Sequence, residues 1–121
     1  MNFSEYQELA SRTANHLLEP KFRLSVAGLG LAGETGEAVE LIKKCVGHGH
    51  ELNLETVTKE LGDVLWYVAE ISTILQLNMN EIAEKNIEKL KKRYPEGFSS
   101  NSSQARVDVN PRPVEIKRVE L

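Results

Sequence analysis

Apolar residues recur three and four positions apart along most of this chain, the period of helices that bury one face. The first such stripe (Tyr6, Leu9, Ala10, Ala14, Leu17, Leu18) predicts a helix from about Ser4 to Glu19, capped by Asn2 or Ser4 and stopped by Pro20. A second helix is expected from Lys21 to Val46, with Leu24, Ala27, Leu31, Ala38, Leu41, Ile42 and Cys45 inward. Gly47 ends it, and His48-Gly49-His50 makes the connection. Asn53 caps a third helix, and Leu52 before the cap can staple onto Val57. Its stripe is Val57, Leu61, Val64, Leu65, Val68, Ile71 and Leu75. Asn80 caps a fourth, with Ile82, Ile87, Leu90 and Tyr94 on one face and Pro95 and Gly97 as its stop. No segment before residue 100 alternates as a strand does. The expected fold is all-α, a four-helix bundle with an extended C-terminal tail.

The pattern breaks after Phe98. SSNSSQ reads as a polar linker, and RVDVNPRPVEIKRVEL alternates at Val107 and Val109 and again at Val114 and Ile116. Pro111 and Pro113 forbid a helix there. Residues 1–98 are therefore expected to form one helical domain. Residues 99–121 are either disordered or an extended arm that docks on the bundle or on another subunit and reinforces assembly.

The totals narrow the function classes. With 121 residues the chain has room for one core. A net charge of −3 is no electrostatic footprint for a nucleic-acid polymer. No apolar run is long enough to cross a membrane, and MNFSEYQELASRT lacks the layout of a secretory signal, so a cytoplasmic place is expected. The lone Cys45 is expected as a buried, reduced thiol.

Two acidic pairs then change the picture: Glu34 with Glu37, and Glu60 with Asp63, each three apart on a helix. Residues at that spacing share a face. Two such helices set antiparallel could gather four carboxylates at one point, where mutual repulsion calls for a hard divalent cation. A pair taken singly also suits a solvated surface. Small residues around Glu34 and Glu37, and the run Val64-Leu65-Trp66-Tyr67-Val68 after Glu60 and Asp63, favour a site wall. Gly28, Gly30, Gly33 and Gly36 lower helix propensity and imply a close contact, with a ligand or with another helix. Asn86, Lys89 and Arg93 share a stripe that can grip phosphates or merely complement a helix C-terminus. Trp66 and Tyr67 are candidates for core packing or for a base or sugar platform. His48 and His50 lack further metal-ligating partners, so a loop role near phosphate suits them better than zinc.

In order along the chain, GETGE, twenty-two residues and ELGD resemble the E-x-x-E…E-x-x-D signature of the MazG-type all-α nucleoside triphosphate pyrophosphohydrolases. NIEKLKKRYPEGF, YQELASRTA and GHGHEL extend the likeness to the compact bacterial and phage members, over about residues 3–98. Where some members carry a lysine one turn before the second acidic pair, this chain has Thr56. The resemblance implies a Mg²⁺ site, open also to Mn²⁺, with Glu34, Glu37, Glu60 and Asp63 as ligands and catalytic residues. It implies phosphate contacts from Lys89 and Arg93, with Asn86 and Tyr67 near sugar or phosphate. It further implies hydrolysis of a (deoxy)nucleoside triphosphate to monophosphate and pyrophosphate in nucleotide-pool control, by a homodimer or homotetramer with sites where subunits meet. Phosphoribosyl-ATP pyrophosphohydrolase has a related fold, but GETGE and ELGD suit it less well. From another class, a non-catalytic helical oligomerisation module displaying a peptide arm has the same hydrophobic pattern.

Overall fold

A computed structural model describes residues 1–109; the alternation at Val114 and Ile116 and the two prolines before it lie outside them. The described residues are all-α, as the periodicity predicts, with helices α1 (Phe3–Ser11), α2 (Pro20–His48), α3 (Leu54–Ile74), α4 (Met79–Arg93) and α5 (Ser100–Ala105). The central element is α3, lined by α2 along one side and by α1 on another, while α4 leans mainly on α1.

The helix ends correct several expectations. Asn2 caps α1 in a full capping box with Glu5, but the helix stops at Ser11, well short of Glu19. Side chains there take over backbone partners: the Thr13 hydroxyl donates to the Ala10 carbonyl, and the Asn15 carbonyl oxygen accepts from the Leu17 amide. Such local bonds compete with the helical ladder, and Leu17 ends up 97% exposed. Pro20 opens α2 at its first turn, where a missing amide proton costs nothing. Gly49, with φ 69, closes α2 in the left-handed conformation. Asn53 caps α3 as expected. The cap of α4 is Asn78, whose side chain accepts from the Asn80 and Glu81 amides. Asn80 instead ties α1 down, accepting from the Phe3 amide and donating to the Ser4 hydroxyl. Gln7 completes this clamp by bonding Thr73, the Leu77 carbonyl and the Met79 amide.

The SSNSSQ stretch, read as a linker, forms α5 because the Ser99 hydroxyl accepts from the Ser102 amide and nucleates a short turn of helix. Arg106, at φ 48, then reverses the chain, and the Val109 amide donates back to the Arg106 carbonyl. Val107 and Val109 therefore lie in a turn rather than an extended strand.

The core is thin. Ala10, Ala69 and Met79 form its centre, with Tyr6, Leu65, Trp66 and Val68 packed around them. Among the described residues no large side chain is fully buried. Leu9, Ile42, Leu61 and Ile87, expected to face inward, keep much of their surface open, and Cys45 is only half-buried. Part of the apolar surface of each of α1, α2, α3 and α4 stays open among the described residues.

Candidate metal centre

The α2–α3 seam positions the acids. The helices run antiparallel, so contacts proceed in opposite directions: Arg23 meets Glu70, Gly30 meets Tyr67, and Glu34 and Glu37 meet Glu60. At Gly30 the approach is so close that a Cβ would lie 2.2 Å from the Tyr67 ring. The close contact implied by the glycine-rich stretch is thus a helix–ring contact at this one position. Gly28, Gly33 and Gly36 face open space.

Carboxylate oxygens of Glu34, Glu37 and Glu60 all lie within 4.8 Å of one another. Asp63 stands outside that trio but acts on it through its charge. Partial burial pushes the Glu34 carboxyl above the ordinary range, and the charges of Glu37, Asp63 and Glu60 push it further. The Tyr6 phenol is likewise raised, first by burial and then by Asp63, so α1 borders the cluster. Glu34 and Glu60 are half-buried, Glu37 and Asp63 exposed. No described lysine or arginine pairs with any of the four. One turn beyond Glu37 the contrast is plain: Glu40 bonds Lys43 and Lys44, which hold its carboxyl low. Converging hard oxygen donors of one sign, left uncompensated by the described residues, suit a hard divalent cation such as Mg²⁺. By their donor chemistry the residues present fit the ion.

The remaining candidates occupy other surroundings. Tyr67 is fixed edge-on to Trp66 at 5.0 Å, and the Trp66 indole donates to the Thr13 hydroxyl at 2.8 Å. Asn86 lines an apolar groove with Phe3, Leu65, Val68 and Ile82. Lys89 is exposed. Arg93 forms a two-pronged pair with Asp108, both bonds at 2.6 Å, with the Asp108 side chain only 3% exposed. Those bonds hold the Asp108 carboxyl down to about 2 and raise the guanidinium. His48 and His50 contact each other edge-on and lie apart from the acidic trio. Periodicity missed the Arg23–Glu70 pair, although a lone glutamate within Val64–Leu75 is a signal in itself: a charge inside an apolar run needs a partner. Asp108 carried no such signal.

All-α described residues in which Glu34 and Glu37 of one helix meet Glu60 of another, with Asp63 at the edge, define a class of carboxylate-rich helical proteins. The comparisons are more specific. Residues 24–98 match the MazG nucleotide pyrophosphohydrolase domain, and the chain belongs to that family. It is also similar to the Gene 37 protein of Mycobacterium phage L5, at 33% identity over 87 residues, covering 69% of this chain and 76% of that protein. No solved structure matches. The chain is thus a nucleotide pyrophosphohydrolase by family, and among its described residues no helix is long and apolar enough to cross a membrane.

Proposed function

We propose that this chain cleaves a (deoxy)nucleoside triphosphate between its α and β phosphates, with Mg²⁺ or in its place Mn²⁺, releasing the monophosphate and pyrophosphate in a cytoplasmic nucleotide pool. The observation that carries this reading is the convergence of Glu34, Glu37 and Glu60 from two helices, with no neutralising lysine or arginine among the described residues. Those three, with Asp63 beside them, would hold the ion. Bound there, it supplies charge neutralisation for phosphate oxygens and a more acidic water.

The other tasks belong to the chain. A carboxylate of the cluster, or a second water, accepts the proton of the attacking water. Tyr67, clamped on Gly30 one turn beyond Asp63, gives a rigid wall for the sugar. Lys89 offers a compact charge to phosphate, and Asn86 lies one turn before it. Arg93 presents the fork that phosphate prefers, and a phosphate reaching it must displace the Asp108 carboxylate. Residues 1–98 act as the catalytic unit and 99–121 as an arm. A homodimer or homotetramer, with sites where subunits meet, accounts for the apolar face that one chain leaves open.

The test is pyrophosphate release across the common ribo- and deoxyribonucleoside triphosphates with Mg²⁺. We expect Glu37→Gln and Glu60→Gln each to abolish release while leaving the metal-free melting temperature equal or higher, because each removes one repelling charge. Near-normal turnover of both variants, at saturating substrate and magnesium, would rule the cluster out.

A further inference from the structure

The Arg23–Glu70 pair stands at the far end of the seam that carries the acids. Glu70 follows Asp63 by seven positions, two helical turns, and Arg23 precedes Glu34 by eleven. The guanidinium grips the carboxylate with two prongs, Nε to Oε1 and Nη2 to Oε2, the latter at 2.9 Å. The side chains are only 15% and 5% exposed. A desolvated ion pair is a poor source of net stability, since apolar residues of similar volume often do as well or better. Its best-attested use is to fix register between helices.

This seam needs such a device. The buried residues of α2 are two alanines, Ala27 and Ala38, and small side chains offer shallow ridges that permit sliding. Gly30 against Tyr67 allows close approach but supplies no directional bond. Slippage would be costly for the acids in particular. One turn along a helix is about 5.4 Å, more than the 4.8 Å that spans the carboxylate oxygens of Glu34, Glu37 and Glu60.

We propose that Arg23 and Glu70 are a positioning pair that sets the α2–α3 register on which the carboxylate cluster depends. The metal arm of the test rests on the metal reading above; the distance arm does not. Spin labels at Lys43→Cys and Lys59→Cys, in a Cys45→Ala background and diluted with unlabelled protein, report the register directly. One narrow distance is expected in the parent protein. In the double variant Arg23→Met/Glu70→Leu the distribution should broaden or shift by about one helical turn, and Mn²⁺ affinity, titrated without nucleotide, should fall about tenfold or more. The charge swap Arg23→Glu/Glu70→Arg should restore both. If the apolar variant does not fold, Arg23→Lys, which keeps the charge and loses the fork, takes its place with the same expected direction. An unchanged distance distribution overturns the proposal, whatever the metal affinity. A parent protein that binds no Mn²⁺ defeats the metal reading, and the distances still decide the register.

Discussion

Gly30 shows how much one residue can govern in a thin-cored protein. Its missing Cβ is what lets the Tyr67 ring lie on α2, so Gly30→Ala must shift the ring or the helix. Overpacking of this kind costs about 1–3 kcal/mol, against a gain in helix propensity of about 1 kcal/mol. Chemical denaturation should show Gly30→Ala destabilised and Gly28→Ala, whose Cβ meets open space, unchanged or stabilised. Two carboxyls predict opposite pH slopes for the metal-free protein. Glu34 titrates above its unfolded value, so its contribution is fully present below that value and is lost as pH rises through the folded one. Asp108 is depressed to about 2, so its contribution is present above its unfolded value and is lost as pH falls toward that figure. Denaturation midpoints against pH should therefore rise on mild acidification and fall again in strong acid. Glu34→Gln should flatten the first slope and Asp108→Asn the second; a profile identical in both variants would remove these groups from the account.

Among the elements, boundaries depend on single polar atoms. A pattern of apolar residues runs on past Ser11, but Thr13 and Asn15 offer the backbone better local partners than another helical turn does. The α3–α4 corner has a similar local cause. Gln76 adopts φ 57 immediately after the α3 cap, a left-handed conformation that non-glycine residues enter at a cost of about 1–2 kcal/mol. The Leu77 amide donates to the Ser72 carbonyl across that corner, which is how a helix closes on a left-handed residue. Gln76→Gly should thus stabilise the protein by about 1 kcal/mol, the relieved left-handed cost less glycine's extra entropy, read as a higher denaturant midpoint at unchanged slope. A loss of stability would mean that the Gln76 side chain holds the corner.

As a whole molecule, the chain leaves Phe22, Val26, Leu29, Val39 and Val46 of α2 open, with Leu29 75% exposed. Proteins that work as single chains rarely keep so long an apolar stripe in water. If a second copy covers it, Leu29→Glu should lower the sedimentation coefficient toward that of one chain. On a face that stays free in solution the same change would move stability by no more than about 0.5 kcal/mol and leave sedimentation alone.

What the residues determine by themselves is local or periodic. Helix class follows from spacing, the cap at Asn53 from its amide side chain, and the two acidic pairs from a step of three on one face. Those features need no knowledge of a neighbour. Tertiary structure alone decided which acids converge: Glu34, Glu37 and Glu60 lie together because α2 and α3 run antiparallel in one register, with Asp63 at the edge. It also decided that Tyr67 packs on Gly30, that Glu70 takes Arg23, and that Asp108 takes the fork of Arg93. Each of these is a contact between residues far apart in the chain. Its energy depends on distance and burial, which a one-dimensional pattern does not contain.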